Sequence, residues 1–102
     1  MDIDRIASRL EALGNPTRLE LYRHLVRAGA DGLAVGELHE RTGVPRSTLS
    51  HHLHKLIATD LVNQERQGTT LICRADFAVM HGTMGFLERE CCAEASRRAD
   101  AA

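Results

Sequence analysis

Residues 35–57 read VGELHERTGVPRSTLSHHLHKLI, and the way this stretch divides decides the fold. Two short apolar-periodic segments flank Thr42-Gly43-Val44-Pro45. Gly43 can take the positive φ that ends one helix, and Pro45 suits the opening turn of the next. On that second helix Leu49, Leu53, Leu56 and Ile57 stand at i, i+4, i+7 and i+8, a single stripe for burial. Ser47, His51, His54 and Lys55 project to the other side, with Arg46 near the helix start. This polar face offers hydrogen-bond donors, and its own segment supplies no carboxylate. A shorter helix, a glycine turn and a helix with such a face make a helix-turn-helix, whose second helix enters a groove of DNA.

The wording carries further. GELHERTGVPRSTLSHHLHKL followed by DLVNQERQGTTLICR, with LEALGNPTRLELYRHL upstream, resembles the ArsR/SmtB repressors over residues 5–90. The resemblance implies a mainly α chain with a small β-hairpin. The expected fold is a winged helix-turn-helix of five helices and a two-stranded wing, dimeric through its first and last helices. It also implies a symmetric dimer reading double-stranded DNA at an inverted repeat. Arg46, Ser47 and His51 would reach base edges or the groove, Thr48 and Ser50 would assist, and Lys55 and Arg66 would hold phosphate.

Composition bounds the alternatives. A chain of 102 residues makes one domain, with the reading head at 35–58, the wing at 61–74 and a last helix at 76–94. Aromatics are 3% of residues, so Leu, Ile, Val, Met and Ala must build the core. No apolar run reaches membrane-spanning length and the start lacks signal-peptide features, so a soluble, cytoplasmic protein without a membrane partner is expected. Net charge is −1, but it is unevenly placed. Residues 1–40 and 76–102 each carry −2, whereas residues 41–75 carry +3 from Arg41, Arg46, Lys55, Arg66 and Arg74 against Asp60 and Glu65. Positive charge thus gathers where phosphate binding needs it.

In chain order, Ile3, Ile6, Leu10 and Leu13 form the stripe of a first helix that Gly14 stops. Asn15-Pro16 opens a second helix running to about Ala28, with Leu19, Tyr22, Leu25 and Val26 inward. Asn15, Pro16 and Arg18 match the family signature, and their role reads as structural. Leu61–Arg66 and Thr69–Cys73 read as strands joined at Gln67-Gly68, a hairpin following the reading helix. Arg66 near its tip either touches DNA or is a plain surface arginine. Asp76 should cap the last helix, where Phe77, Met80, Met84, Leu87 and Cys91 recur like a coiled-coil seam. Gly82 and Gly85 each cost that helix ~1 kcal/mol, so packing against a partner should compensate. Residues 93–102 should fray.

No phosphate-binding glycine loop, carboxylate pair or nucleophile motif is present, which argues against an enzyme. His51 and His54 could pair on a metal, but no third ligand stands near them; His52 lies nearer the core edge, and His24, His39 and His81 read as surface or boundary residues. Relatives in the family sense metals through cysteines on the third helix, which has none here. Others use Asp and His on the last helix, but Ala78, Arg89 and Cys92 stand where histidines are expected, and only Asp76 fits. Cys73, Cys91 and Cys92 remain, an odd number that argues against a disulfide framework. Cys73 on its strand and Cys91 in the seam could be small buried hydrophobes. Vicinal thiols can share one soft centre, and Glu-x-Cys-Cys resembles the ending of arsenic-responsive relatives. No cofactor is needed; trivalent arsenic or antimony would be the inducer. Cys91 and Cys92 lie ~22–24 Å along a helix from Asp76, so Cys73 of the same chain is out of reach. Cys73 of the partner subunit could complete a three-thiolate site, or Cys91 and Cys92 could act alone. Thiol oxidation or persulfide formation is the competing switch, and a constitutive DNA-binding or interaction module the more distant one.

Overall fold

The structure, a computed structural model, describes residues 2–95. Five helices and three strands follow one another: α1 Ile3–Leu13, α2 Pro16–Ala28, β1 Leu33–Ala34, α3 Val35–Thr42, α4 Arg46–Ala58, β2 Val62–Gln67, β3 Thr70–Ala75 and α5 Phe77–Glu90. The strands are antiparallel in the order β1-β3-β2. The hairpin pairs Val62 with Ala75 and Gln67 with Thr70, so its turn is Gly68-Thr69, one residue later than expected. Gly68 takes the turn's positive φ of 63°.

Local punctuation falls where residue chemistry puts it. Asn15 accepts from the Arg18 amide at 3.0 Å and Pro16 opens α2. Asp76 accepts from the Val79 amide at 3.1 Å. Gly43 ends α3 in the left-handed conformation, φ 70°. The end of α4 breaks the glycine habit: Asp60 is left-handed at φ 66°. The Leu61 amide donates to Leu56 and the Asp60 amide to Ile57, both at 3.0 Å, the paired bonds of a Schellman ending. Leu56 and Leu61 are fully buried beside it, and Arg9 holds the Asp60 carboxylate at 3.5 Å and the Thr59 carbonyl at 2.9 Å.

Four expectations change. The wing has a third strand, because Leu33 and Ala34 pair with Cys73 and Ile72; two residues are too few for a periodicity to show. On α2, Leu19 is 53% exposed, while Leu21 is fully buried. The buried arc there is Arg18, Leu21, Tyr22 and Leu25, and Leu19 lies roughly 100° round from its centre. The last helix stops at Glu90 rather than 94, and Cys91 takes extended backbone. Glu88, Glu90 and Glu94 crowd the negative end of the helix dipole. Finally, Gly85 makes room for Arg89, whose guanidinium covers it and whose Nη2 lies 3.4 Å from the Gly82 carbonyl, whereas a side chain at Gly82 would meet open space. The expected fraying concerns mainly residues 96–102, outside the described residues.

Leucines from α2, α3 and α4 form the core with Leu33, Leu61, Val62 and Cys73. Tyr22 joins them, and burial, with Asp76 nearby, pushes its phenol up to about 12. β1 reaches β3 only because Gly32 has no side chain: at φ 68° a Cβ there would collide with the Cys73 carbonyl and the Arg74 stem. Gly43 has a similar φ of 70° but open space around it. Gly32→Ala should therefore cost about 3 kcal/mol, and Gly43→Ala about 1 kcal/mol. Urea denaturation midpoints check the order, and equal losses would refute the close approach.

Candidate nucleic-acid interface and thiol pair

The angle between α3 and α4 is set by a bonded turn. His39 Nδ1 lies 2.7 Å from the Val44 carbonyl, so that nitrogen must carry the proton. Thr42 Oγ1 donates to the Leu38 carbonyl at 2.7 Å and accepts from the Val44 amide at 3.3 Å. Beyond the turn, Leu49, Leu53 and Leu56 fix α4 to the core, leaving Arg46, Ser47, Thr48, Ser50, His51, His54 and Lys55 exposed. No side chain caps the start of α4, so its first amides are open to an anion.

The cations divide once the fold is known. Lys55 Nζ, expected on phosphate, lies 3.3 Å from the Glu11 carboxylate of α1, both side chains being exposed. The reading helix has no acid of its own there, but α1 brings one. Arg74 donates to the Ala30 carbonyl at 2.9 Å and to Glu65 at 3.0 Å, tying the wing to the turn after α2. Arg74 and Gln67 hold the exposed Glu65 carboxyl below its usual range, the Gln67 hydrogen bond contributing most. Arg41, Arg46 and Arg66 are exposed and have no carboxylate partner among the described residues. Arg46 opens the reading helix and Arg66 stands one residue from the end of β2.

Behind the reading face lies a group that sequence reading had passed over as structural. Arg18, 8% exposed, donates through Nε to the Ala12 carbonyl at 2.6 Å. Its Nη1 lies 3.4 Å from His52 Nδ1, and its Nη2 3.8 Å from Glu11. Burial first, then Arg18 and His51, hold the His52 imidazole below its ordinary pKa. The available signal was Arg18 itself, a charge within the apolar arc of α2.

The thiols separate in the same way. Cys73 is fully buried on β3, with Gln64 Nε2 3.4 Å from its sulfur. Burial pushes this thiol up, only partly offset by Gln64, so little thiolate is available for binding. Its expected part as a third ligand sits poorly with that place in the core. Cys91 and Cys92 are both exposed, with sulfurs 3.6 Å apart. Cys92 takes left-handed backbone at φ 59°, and its position follows from this turn, not from helical spacing. Among the described residues no three His, Cys, Asp or Glu side chains gather as a metal-holding group. Nor is any helix among them long and apolar enough to cross a membrane.

Comparison with known proteins places this geometry. Residues 13–65 match the family described as a helix-turn-helix domain. The nodulation protein NolR of Rhizobium meliloti is 39% identical over 70 residues, 69% of this chain and 55% of its own length. The putative arsenical resistance operon repressor ArsR2 of Halobacterium salinarum is 36% identical over 72 residues, 68% of this chain and 60% of its own. The chain thus matches little more than half the length of these curated relatives. Among solved structures, an ArsR-like transcriptional regulator from Rhodococcus sp. RHA1 superposes with TM-score 0.78 at 33% identity, over 96% of this chain and 89% of that one. A homodimeric winged helix-turn-helix DNA-binding domain from Mycobacterium bovis does so with TM-score 0.68 at 27% identity, over 87% and 82%. The Halobacterium relative is thus a putative repressor and the Rhodococcus structure that of a transcriptional regulator. With its bonded helix-turn-helix, its wing and these relatives, the chain belongs to the ArsR/SmtB family of winged helix-turn-helix regulators.

Proposed function

We propose that the protein is a homodimeric DNA-binding repressor, released from an inverted-repeat operator when Cys91 and Cys92 capture a trivalent arsenical or antimonite. The exposed sulfur pair, 3.6 Å apart, is the observation that carries this reading. A soft centre bound by thiolates at ~2.3 Å would subtend about 100° between them, an angle suited to a pyramidal trivalent atom. With Cys73 buried, two sulfurs favour an organoarsenical with two exchangeable oxygens. Two S–H protons leave with two hydroxides as water, two As–S bonds form, and arsenic stays trivalent. The arsenical-resistance relative supports this choice. An internal disulfide suits the pair less well. Among the described residues every peptide bond is trans, so neighbouring Cα atoms stand ~3.8 Å apart, against the ~4.4–6.8 Å usual for disulfides.

Dimerisation is supported by Ile3 and Leu10 on α1 and Met84 and Leu87 on α5, which are 43–68% exposed on two touching helices. The Mycobacterium bovis relative is homodimeric, which supports a dimer here. Bound inducer can loosen DNA only by fitting a non-binding dimer geometry better. Mass spectrometry after separate exposure to phenylarsenous acid and to peroxide tests the switch. A retained arsenic adduct that releases DNA supports the proposal. Release accompanied by a two-hydrogen loss after peroxide, or by an added sulfur after a further exposure to polysulfide, without arsenic, transfers it to an oxidant or persulfide.

The DNA face has its own test. Arg46→Ala and Arg66→Ala should weaken binding to all sequences and lower the salt slope by about one per lost phosphate contact. Lys55→Ala should change the slope less, because Glu11 offsets part of its charge. Fluorescence anisotropy across salt concentrations decides this, and a larger effect at Lys55 than at both arginines would reverse the assignment.

A further inference from the structure

We infer that Arg18 is a positioning residue for DNA recognition: through His52 it sets the reading helix against the end of α1, and DNA affinity depends on His52 being neutral. The inference rests on the DNA-binding reading above. Its basis is a carbonyl that α1 cannot satisfy. The helical partner of the Ala12 carbonyl would be the amide of residue 16, but Pro16 has none. Arg18 Nε supplies the missing donor at 2.6 Å. The same guanidinium reaches His52 Nδ1 at 3.4 Å. A guanidinium only donates, so Nδ1 must be unprotonated for this bond to exist.

Arg18 therefore joins three elements: α1 through Ala12 and Glu11, α2 on which it stands, and α4 through His52. The ionisable groups that act on His52 are Arg18 from α2 and His51 on α4, and behind Arg18 stand Glu11 of α1 and its partner Lys55. Glu11 Oε1 is shared between Arg18 at 3.8 Å and Lys55 at 3.3 Å, so one carboxylate serves two cations and leaves none for a third. Protonating His52 would remove the acceptor and set a second cation beside a buried one. Free protein can relieve this by shifting α4. Protein whose reading helix lies in a groove cannot, so proton binding and DNA binding oppose each other.

Two substitutions test this on a duplex selected by the wild-type chain from random sequence. His52→Gln keeps a neutral acceptor for Arg18, and should bind like wild type at pH 8. His52→Lys sets a permanent cation there. A nearby positive charge acting only through DNA electrostatics would tighten binding, whereas a displaced reading helix should weaken it about tenfold, the equivalent of one pKa unit. Circular dichroism establishes that each variant is folded. As pH falls from 8 to 5.5, wild type should lose affinity relative to His52→Gln. Both proteins keep His51 and His54, so the ratio removes what those two rings contribute on their own. Superimposable pH profiles would overturn the inference, even if His52→Lys failed to fold, and so would a folded His52→Lys that binds as tightly as wild type. Failure of the wild-type chain to select any duplex would instead remove the DNA-binding reading itself.

Discussion

Cys92→Ser protein should hold its operator as wild type does and fail to let go when a trivalent arsenical is added. The argument is one of chelation. With two thiols on one turn, the second As–S bond forms within the molecule, at an effective concentration that free thiols cannot match. Losing it should raise the inducer concentration for half-release by about 10²–10⁴-fold. Operator affinity should not change, because Cys92 is exposed beyond the end of α5, on a different element from the reading helix. Cys73→Ser separates the two possible sites. Cys73 is buried with its sulfur against Gln64, so its replacement should cost some stability and leave the response at the same inducer concentration. Titration of each variant against a labelled operator reads both. A full response from Cys92→Ser ends the dithiol proposal, and loss of response to arsenite in folded Cys73→Ser would restore Cys73 of the partner subunit as a third ligand.

Met84→Arg tests the assembly on which operator reading depends. Met84 is 47% exposed and Leu87 68%, on a helix that touches α1. In a symmetric dimer each substitution acts twice, and burying each unpaired guanidinium costs several kcal/mol. The dissociation constant should rise by about 10⁴-fold or more, and affinity for the full inverted repeat should fall with it. Sedimentation velocity together with circular dichroism decides the matter. Folded monomer is the expected species, and a folded dimer of wild-type strength would mean that another face joins the protomers.

The sequence by itself determined the five helices, the hairpin and their order, because those depend on neighbours along the chain. Asn15-Pro16 starts α2, Gly43 divides α3 from α4, Gly68 turns the hairpin and Asp76 caps α5; each rests on a conformational or hydrogen-bonding preference of one residue. The leucine spacing on α4 likewise fixed which face is buried and which carries Arg46, Ser47 and His51. Tertiary structure decided what those side chains can do. Lys55 looked free until α1 brought Glu11 to it from 44 positions away, and Arg18 looked merely structural until α2 carried it to His52 across 34. Leu33-Ala34 became a strand only because β3 was there to pair with it. Cys73 and the Cys91-Cys92 pair share one chemistry, but burial raises the first thiol and a left-handed turn sets the other two side by side at the surface. Burial and charge partnership are properties of pairs of segments, and no single segment encodes them.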